Sequence, residues 1–384
     1  MKMLDITVSS TELSGKITPP PFKSEVIRLL ILGALCGIHP ENIITPSPDL
    51  GDDIIISAKA VKSAFFDDIQ TPVFVGESAT LLRILAPVLA IKRGEIAFTC
   101  GKPLLRRDMS PFSRVEGCSV ESAEDRLIFR SDIETGASVA IDAAGSSQFA
   151  SGFLIAAAFR SDIRVMPLSP VSLPYIALTL DTLRRFGVEM YLDDDGYYRS
   201  NGAGLTPPKS FEFEADMSYA AVFKAANFVQ NFDGVMIAGE RSDSLQPDAA
   251  FRMLASMRDP SVQNAPDLFP LLCVCALTKA HSTHIHNTAR LRDKESDRVL
   301  SSEKLIRALG GKMEVFDDSV IVHGADKKLL GGVVDACGDH RIVMAAAIAS
   351  MMCEKPVRIL GADSVKKSAP RFFDDFISLG GKIL

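Results

Sequence analysis

The chain has 384 residues, a formal net charge of −6 and 47% hydrophobic residues, more apolar sequence than one core usually holds, which points to two domains. The acidic balance argues against a nucleic-acid partner, which needs a basic stripe, and the best apolar run, residues 342–353, falls short of the roughly 18 residues that cross a bilayer. MKMLDITVSS lacks an apolar signal core, and seven cysteines without CxxC spacing suit buried free thiols, so a cytoplasmic enzyme is the expected class.

In chain order, a 3.6-residue periodicity with capping residues predicts helices over 24–36, 80–93, 147–159, 174–186, 218–229, 267–279, 295–309, 340–353 and 369–379. Strands fall between them, among them 73–75, 95–100, 138–142, 282–286 and 357–360. Residues 41–75 otherwise read as irregular, and Pro207-Pro208-Lys209 marks a crossover near 200–214. A weak repeat shows at four places: a helix end, a glycine, a strand, an acidic turn and a second strand. Seventy residues separate Gly117 from Gly187, and seventy separate Gly310 from Gly380. Glycine suits the left-handed position after a helix, and DDDG and DDS suit hairpin turns. Equal spacing in the two halves predicts duplicated units of mixed α and β structure.

Cations gather where these helices begin. Lys23-Ser24 precedes one helix with Arg28 a turn further on, Lys294 and Arg298 flank the start of another, His340-Arg341 opens a third, and Lys366-Lys367-Ser368 precedes the last. A helix start already carries partial positive charge, so a cation there normally costs about 0.3–1 kcal/mol. The placements make sense if small, multiply charged anions occupy the helix ends. Each motif also has a plainer reading. Ser24, Ser146-Ser147 before Gln148, and Ser172 before Pro174-Tyr175 can be ordinary N-caps. Arg83, four residues after Ala79, can anchor neighbouring elements instead of a ligand. Asp267 can cap its helix or act as a base for a hydroxyl. The run Arg290 to Arg298 can be a solvated face. His284 and His286 share a strand face, but no Cys or carboxylate stands near in sequence to complete a tetrahedral set, so no metal site is expected. There is no GxGxxG or GxxxxGK[ST].

Taken in order, KSxxxR from Lys23, the Thr80-x-x-Arg83 loop, SSQF from Ser146, SxPY from Ser172, Pro266-Asp267, KESDR from Lys294, DHR from Asp339 and Lys367-Ser368 resemble the 5-enolpyruvylshikimate-3-phosphate synthase family of enolpyruvyl transferases. The resemblance runs from about Pro19 to Leu384. It implies an α/β fold, a two-lobed inside-out barrel of repeated βαβαββ units with its active site in the interlobe cleft. One lobe would comprise 1–18 and 215–384, the other the inserted 19–214. The implied reaction moves the enolpyruvyl group of phosphoenolpyruvate to the 5-hydroxyl of shikimate 3-phosphate in a monomer, without metal or organic cofactor. By resemblance Asp267, Glu295 and Lys23 are catalytic. Lys23, Ala79, Arg107, Gln148, Arg298, Arg341 and Lys367 hold phosphoenolpyruvate. Lys23, Ser24, Arg28, Ser146, Ser147, Gln148, Ser172, Asp267 and Lys294 hold shikimate 3-phosphate, and Tyr175 lines the ring pocket. Ala79 stands where the family usually has Gly, which implies weak inhibition by glyphosate. In LLRRDM the phosphoenolpyruvate ligand is Arg106 or Arg107. Two neighbouring readings are a transferase acting on UDP-N-acetylglucosamine, for which Cys100 would be the loop cysteine, and a non-catalytic phosphometabolite-binding relative.

Overall fold

The helix–Gly–hairpin pattern of the sequence folds as a recurring sheet. The structure is a computed structural model and describes residues 4–9, 12–67, 72–325 and 327–384. Residues 138–200 show the unit most fully. Strand Ser138–Asp142, helix Gln148–Phe159, strand Arg164–Leu168 and helix Leu173–Arg185 lead into a hairpin of Met190–Leu192 and Tyr198–Ser200. The first two strands are parallel, as a helical crossover requires, and the hairpin lays its second arm antiparallel against Arg164–Leu168. The spatial order is thus first, second, fourth, third.

That order recurs three times more. Val73–Phe74, Glu95–Thr99, Arg126–Ser131 and Cys118–Ser122 lie side by side in it. Thr283–His286, Ser319–His323 and Lys312–Val315 supply the second, fourth and third places of another sheet, where the first strand shrinks to a parallel bridge between Ser261 and His286. In the last, Gly332–Asp335 and Val357–Leu360 are parallel, and Ile6–Ser9 from the N-terminal end fills the place next to Lys382–Ile383. The glycines do what the sequence asks of them: Gly187 and Gly310 follow helices that end at Arg185 and Ala308, at φ +77° and +89°.

The described residues divide into two compact units. One contains Met1–Pro21, Pro48–Gly51 and Glu214–Leu384, the other Phe22–Ser47 and Asp52–Phe213. The first is built on a continuous apolar cluster to which the helix His340–Ala349 contributes almost all its residues. In the second, Phe112 packs against Phe129, Phe149 and Phe153 at ring separations of 5.0, 5.9 and 5.8 Å. Among the described residues no helix is long and apolar enough to cross a membrane.

Every helix expected from periodicity forms, most with ends shifted by one to three residues. Two lose more: 267–279 becomes a 3-10 turn Pro266–Leu268 and helix Phe269–Ala276, and 340–353 ends as a 3-10 turn Ser350–Met352. Two expectations need correction. The stretch 41–75 is not irregular: Asp52–Phe66 is a 15-residue helix, and residues 68–71 lie outside the described residues. Its buried positions Asp53, Ile54, Ser57, Ala60, Val61 and Ala64 form a stripe at helical spacing, but small and polar members weaken the apolar signal. The thiols are not uniformly buried either: Cys273, Cys275 and Cys353 are, while Cys36, Cys100, Cys118 and Cys337 are half-buried.

Candidate active site

In the first unit the expected residues converge on one guanidinium. Asp297 caps the helix Arg298–Ala308 by accepting from Leu300 N at 2.9 Å, which fixes Arg298 as the first helical residue. Asp339 caps the helix His340–Ala349 in the same way, its Oδ1 accepting from Arg341 N at 2.9 Å. The other oxygen of Asp339 accepts from Arg298 Nε at 3.0 Å and from Ser296 Oγ at 3.2 Å, so this wholly buried carboxylate joins two helix starts. Arg298 is 1% exposed, and its two terminal nitrogens donate to Asp267 Oδ1 at 2.7 Å and Glu295 Oε2 at 2.6 Å. Arg341 donates to Asp267 Oδ2 at 2.7 Å, and Lys367 approaches Glu295 Oε1 at 3.4 Å.

Three carboxylates therefore face Arg298, Arg341, Lys367 and the neighbouring Lys294, leaving one formal positive charge in excess. Burial alone would raise the Asp267 carboxyl, but Arg341, Arg298 and Lys294 outweigh it and hold the group well below the ordinary range. Burial lowers the Lys294 ammonium to about 8, with Asp267 pulling the other way. His340 is buried beside Asp339, at 4.0 Å.

The second unit gathers the rest at neighbouring helix starts. Lys23 opens the helix Lys23–Leu35 and meets Asp53 Oδ2 at 2.9 Å, at the start of the helix that the sequence reading missed. Arg28 is buried and donates to Ser24 O at 2.7 Å, Thr179 Oγ1 at 2.8 Å, Ser151 Oγ at 3.0 Å and Tyr175 O at 3.1 Å. It thereby ties its own helix to Gln148–Phe159 and Leu173–Arg185, and burial lowers it to about 10. Gln148 Nε2 donates to Thr80 Oγ1 at 2.8 Å, and its Oε1 accepts from Arg83 at 3.4 Å, joining the start of Ala79–Arg93 to the group. Ser146 Oγ accepts from Gln148 N at 3.3 Å, Ser147 stands at the N-cap position, and Ser172 precedes its helix in a left-handed conformation at φ +55°. Arg107 is half-buried in the turn after Lys102–Leu105, whereas Arg106 is exposed. Cys100 has its thiol pushed up to about 11 by burial and then by Glu77, which makes a poor nucleophile.

Three neighbouring carboxylates have no role assigned in the sequence analysis, although Asp339 belongs to one of its motifs. Asp339 had a visible cue, an Asp immediately before a helix start. Asp53 had none, because its helix was not recognised. Asp248 lies buried against Ser218 Oγ, and burial, then the charge of Asp267, pushes its carboxyl well above the usual range.

Solved structures share this architecture. EPSP synthase from Acinetobacter baumannii superposes over 99% of both chains with a TM-score of 0.76 at 18% identity. The enolpyruvyl transferase NikO from Streptomyces tendae does so over 100% of this chain and 98% of its own, with a TM-score of 0.74 at 14% identity. The fold is thus the two-lobed α/β fold of the enolpyruvyl transferases.

Sequence narrows the class. The family model described as EPSP synthase (3-phosphoshikimate 1-carboxyvinyltransferase) matches residues 53–259 and 252–376. Proteins named 3-phosphoshikimate 1-carboxyvinyltransferase from Clostridium kluyveri and Korarchaeum cryptofilum are 30% and 29% identical, each alignment covering 98% of both proteins. The chain belongs to the EPSP synthase family.

Proposed function

We propose the following division of labour for the reaction that names this family. The chain is a transferase: it moves the enolpyruvyl group of phosphoenolpyruvate to shikimate 3-phosphate and releases phosphate, in the route to aromatic amino acids. The reaction is an addition followed by an elimination. Asp267 accepts the proton of the 5-hydroxyl as that oxygen attacks the central carbon of phosphoenolpyruvate. Glu295, with Lys23, delivers a proton to the methylene carbon, giving a tetrahedral ketal. Phosphate then leaves and a proton is lost from the new methyl group, which regenerates the alkene.

The observation that carries these roles is the salt-bridge cluster at Asp267 and Glu295. Both carboxylates lie on Arg298, and Asp267 is held ionised by Arg341 and Arg298. An ionised carboxylate is what a base needs, and cations already in place stabilise charge that develops during addition. Arg298, Arg341 and Lys367 take the carboxylate and phosphate of phosphoenolpyruvate, exchanging contacts with Asp267 and Glu295 for contacts with substrate. Arg107, Gln148 and the backbone at Ala79 complete that set. Ser24, Ser146, Ser147, Ser172 and Lys294 serve shikimate 3-phosphate. Arg28 acts mainly through the helix starts it fixes, since it donates to Thr179, Ser24, Ser151 and Tyr175 within its own unit. The substrates are small anions, and the working form is a cytoplasmic monomer, testable by light scattering across assay concentrations.

Glu295→Gln tests the assignment. It keeps size and a hydrogen-bonding oxygen but removes the transferable proton, so kcat should fall by about 10²-fold or more while KM for shikimate 3-phosphate changes little. A variant with near-normal kcat removes Glu295 from the chemistry.

A further inference from the structure

The histidines dismissed as metal ligands for want of a neighbouring carboxylate acquire one through the fold. His284 and His286 alternate along Thr283–His286, so their rings stand on one face, with centroids 4.0 Å apart. The segment 258–262 runs beside this strand: His284 N donates to Arg258 O, His286 N donates to Pro260 O, and Val262 N donates to His286 O, at 2.9, 2.9 and 3.1 Å. That pairing sets Asp259 over the same face, with its Oδ1 4.0 Å from His286 Nε2. One donor atom from each of Asp259, His284 and His286 lies within 4.8 Å of the others. Independently, Nε2 of His284 is shielded from solvent and has no hydrogen-bond partner, an orphaned lone pair or N–H that costs free energy unless something binds it.

We propose that Asp259, His284 and His286 form a binding site for one borderline divalent transition ion, Zn²⁺, Co²⁺ or Ni²⁺. Two imidazoles and a carboxylate are the donors such ions prefer over Mg²⁺ or Ca²⁺, which favour oxygen alone. Ligands on a tetrahedral ion at about 2.0–2.1 Å stand about 3.3 Å apart, so the three donors need to close by about 1.5 Å at most. Asp259 is exposed and His286 half-buried, which leaves their side chains room to make that movement. The ion is not part of enolpyruvyl transfer. It would fasten segment 258–262, which leads directly to Asp267, to the strand that leads to Lys294 and Glu295.

Co²⁺ titration of the untagged full chain tests this, because the visible spectrum distinguishes nitrogen and oxygen ligands from thiolates, and four cysteines are half-buried. One equivalent should bind without a thiolate charge-transfer band. His286→Gln and Asp259→Asn, the second on an exposed side chain, should each weaken binding tenfold or more and leave enolpyruvyl transfer unchanged. Weakening by less than tenfold in both variants overturns the proposal, as does a thiolate band in the wild type.

Discussion

Lys294 titrates where an assay can follow it. Its ammonium is lowered to about 8 by burial, against a model-peptide value near 10.4. Between those values the unfolded chain holds a proton that the folded chain has released, so this group's contribution to stability rises with pH across that window. Substrate binding runs the other way, because only the protonated form offers charge to a phosphorylated ligand. KM for shikimate 3-phosphate should therefore climb above pH 8, approaching about tenfold per unit, and Lys294→Arg should flatten the rise because a guanidinium stays charged. A wild-type KM that is level to pH 9.5 contradicts the role given to Lys294. Ala79 makes a second prediction at this scale. It is 7% exposed at the first position of its helix, so its methyl has little room to yield. Ala79→Gly should sharpen inhibition by glyphosate at saturating shikimate 3-phosphate, and equal inhibition of both forms would show that the methyl does not meet the inhibitor.

Helix starts are the elements on which the proposed chemistry is mounted, and they were readable because caps and periodicity are local signals. Ser147, Asp297 and Asp339 stand at N-caps next to Gln148, Arg298 and His340-Arg341, where a short stretch of sequence suffices to place the candidate residue. The same locality explains the omissions. Asp53 meets Lys23 across 30 residues, and Asp259 meets His286 across 27, so no periodicity could announce either pair. The helix Asp52–Phe66 escaped because its buried stripe includes Asp53 and Ser57. Pro48–Gly51 carries the element-scale prediction. A Cβ on Gly51 would stand 2.7 Å from Ser368 Cα and 2.8 Å from Lys367 O, closer than carbon can approach backbone. Gly51→Ala must displace the turn that carries Lys367, at an overpacking cost of about 1–3 kcal/mol. KM for phosphoenolpyruvate should rise severalfold with KM for shikimate 3-phosphate nearly unchanged; two unchanged KM values would separate Gly51 from the placement of Lys367.

For the whole molecule, duplication was legible from four glycines and their 70-residue spacing, and the sheets bear it out in a shared strand order. The family resemblance put 1–18 in one lobe with 215–384, but the place of Ile6–Ser9 in the last sheet was not legible from the residues themselves, since it pairs with strands about 350–375 residues away. The rival transferase reading drew on Cys100, whose thiol is pushed up to about 11 and is unsuited to proton or covalent chemistry near neutrality. The central claim is that this chain joins phosphoenolpyruvate to shikimate 3-phosphate. Phosphate release from phosphoenolpyruvate, followed with shikimate 3-phosphate and separately with UDP-N-acetylglucosamine as acceptor, tests it most directly. The account predicts stoichiometric release with the first acceptor and none above background with the second; binding of shikimate 3-phosphate without release, or release with the sugar nucleotide alone, would contradict it.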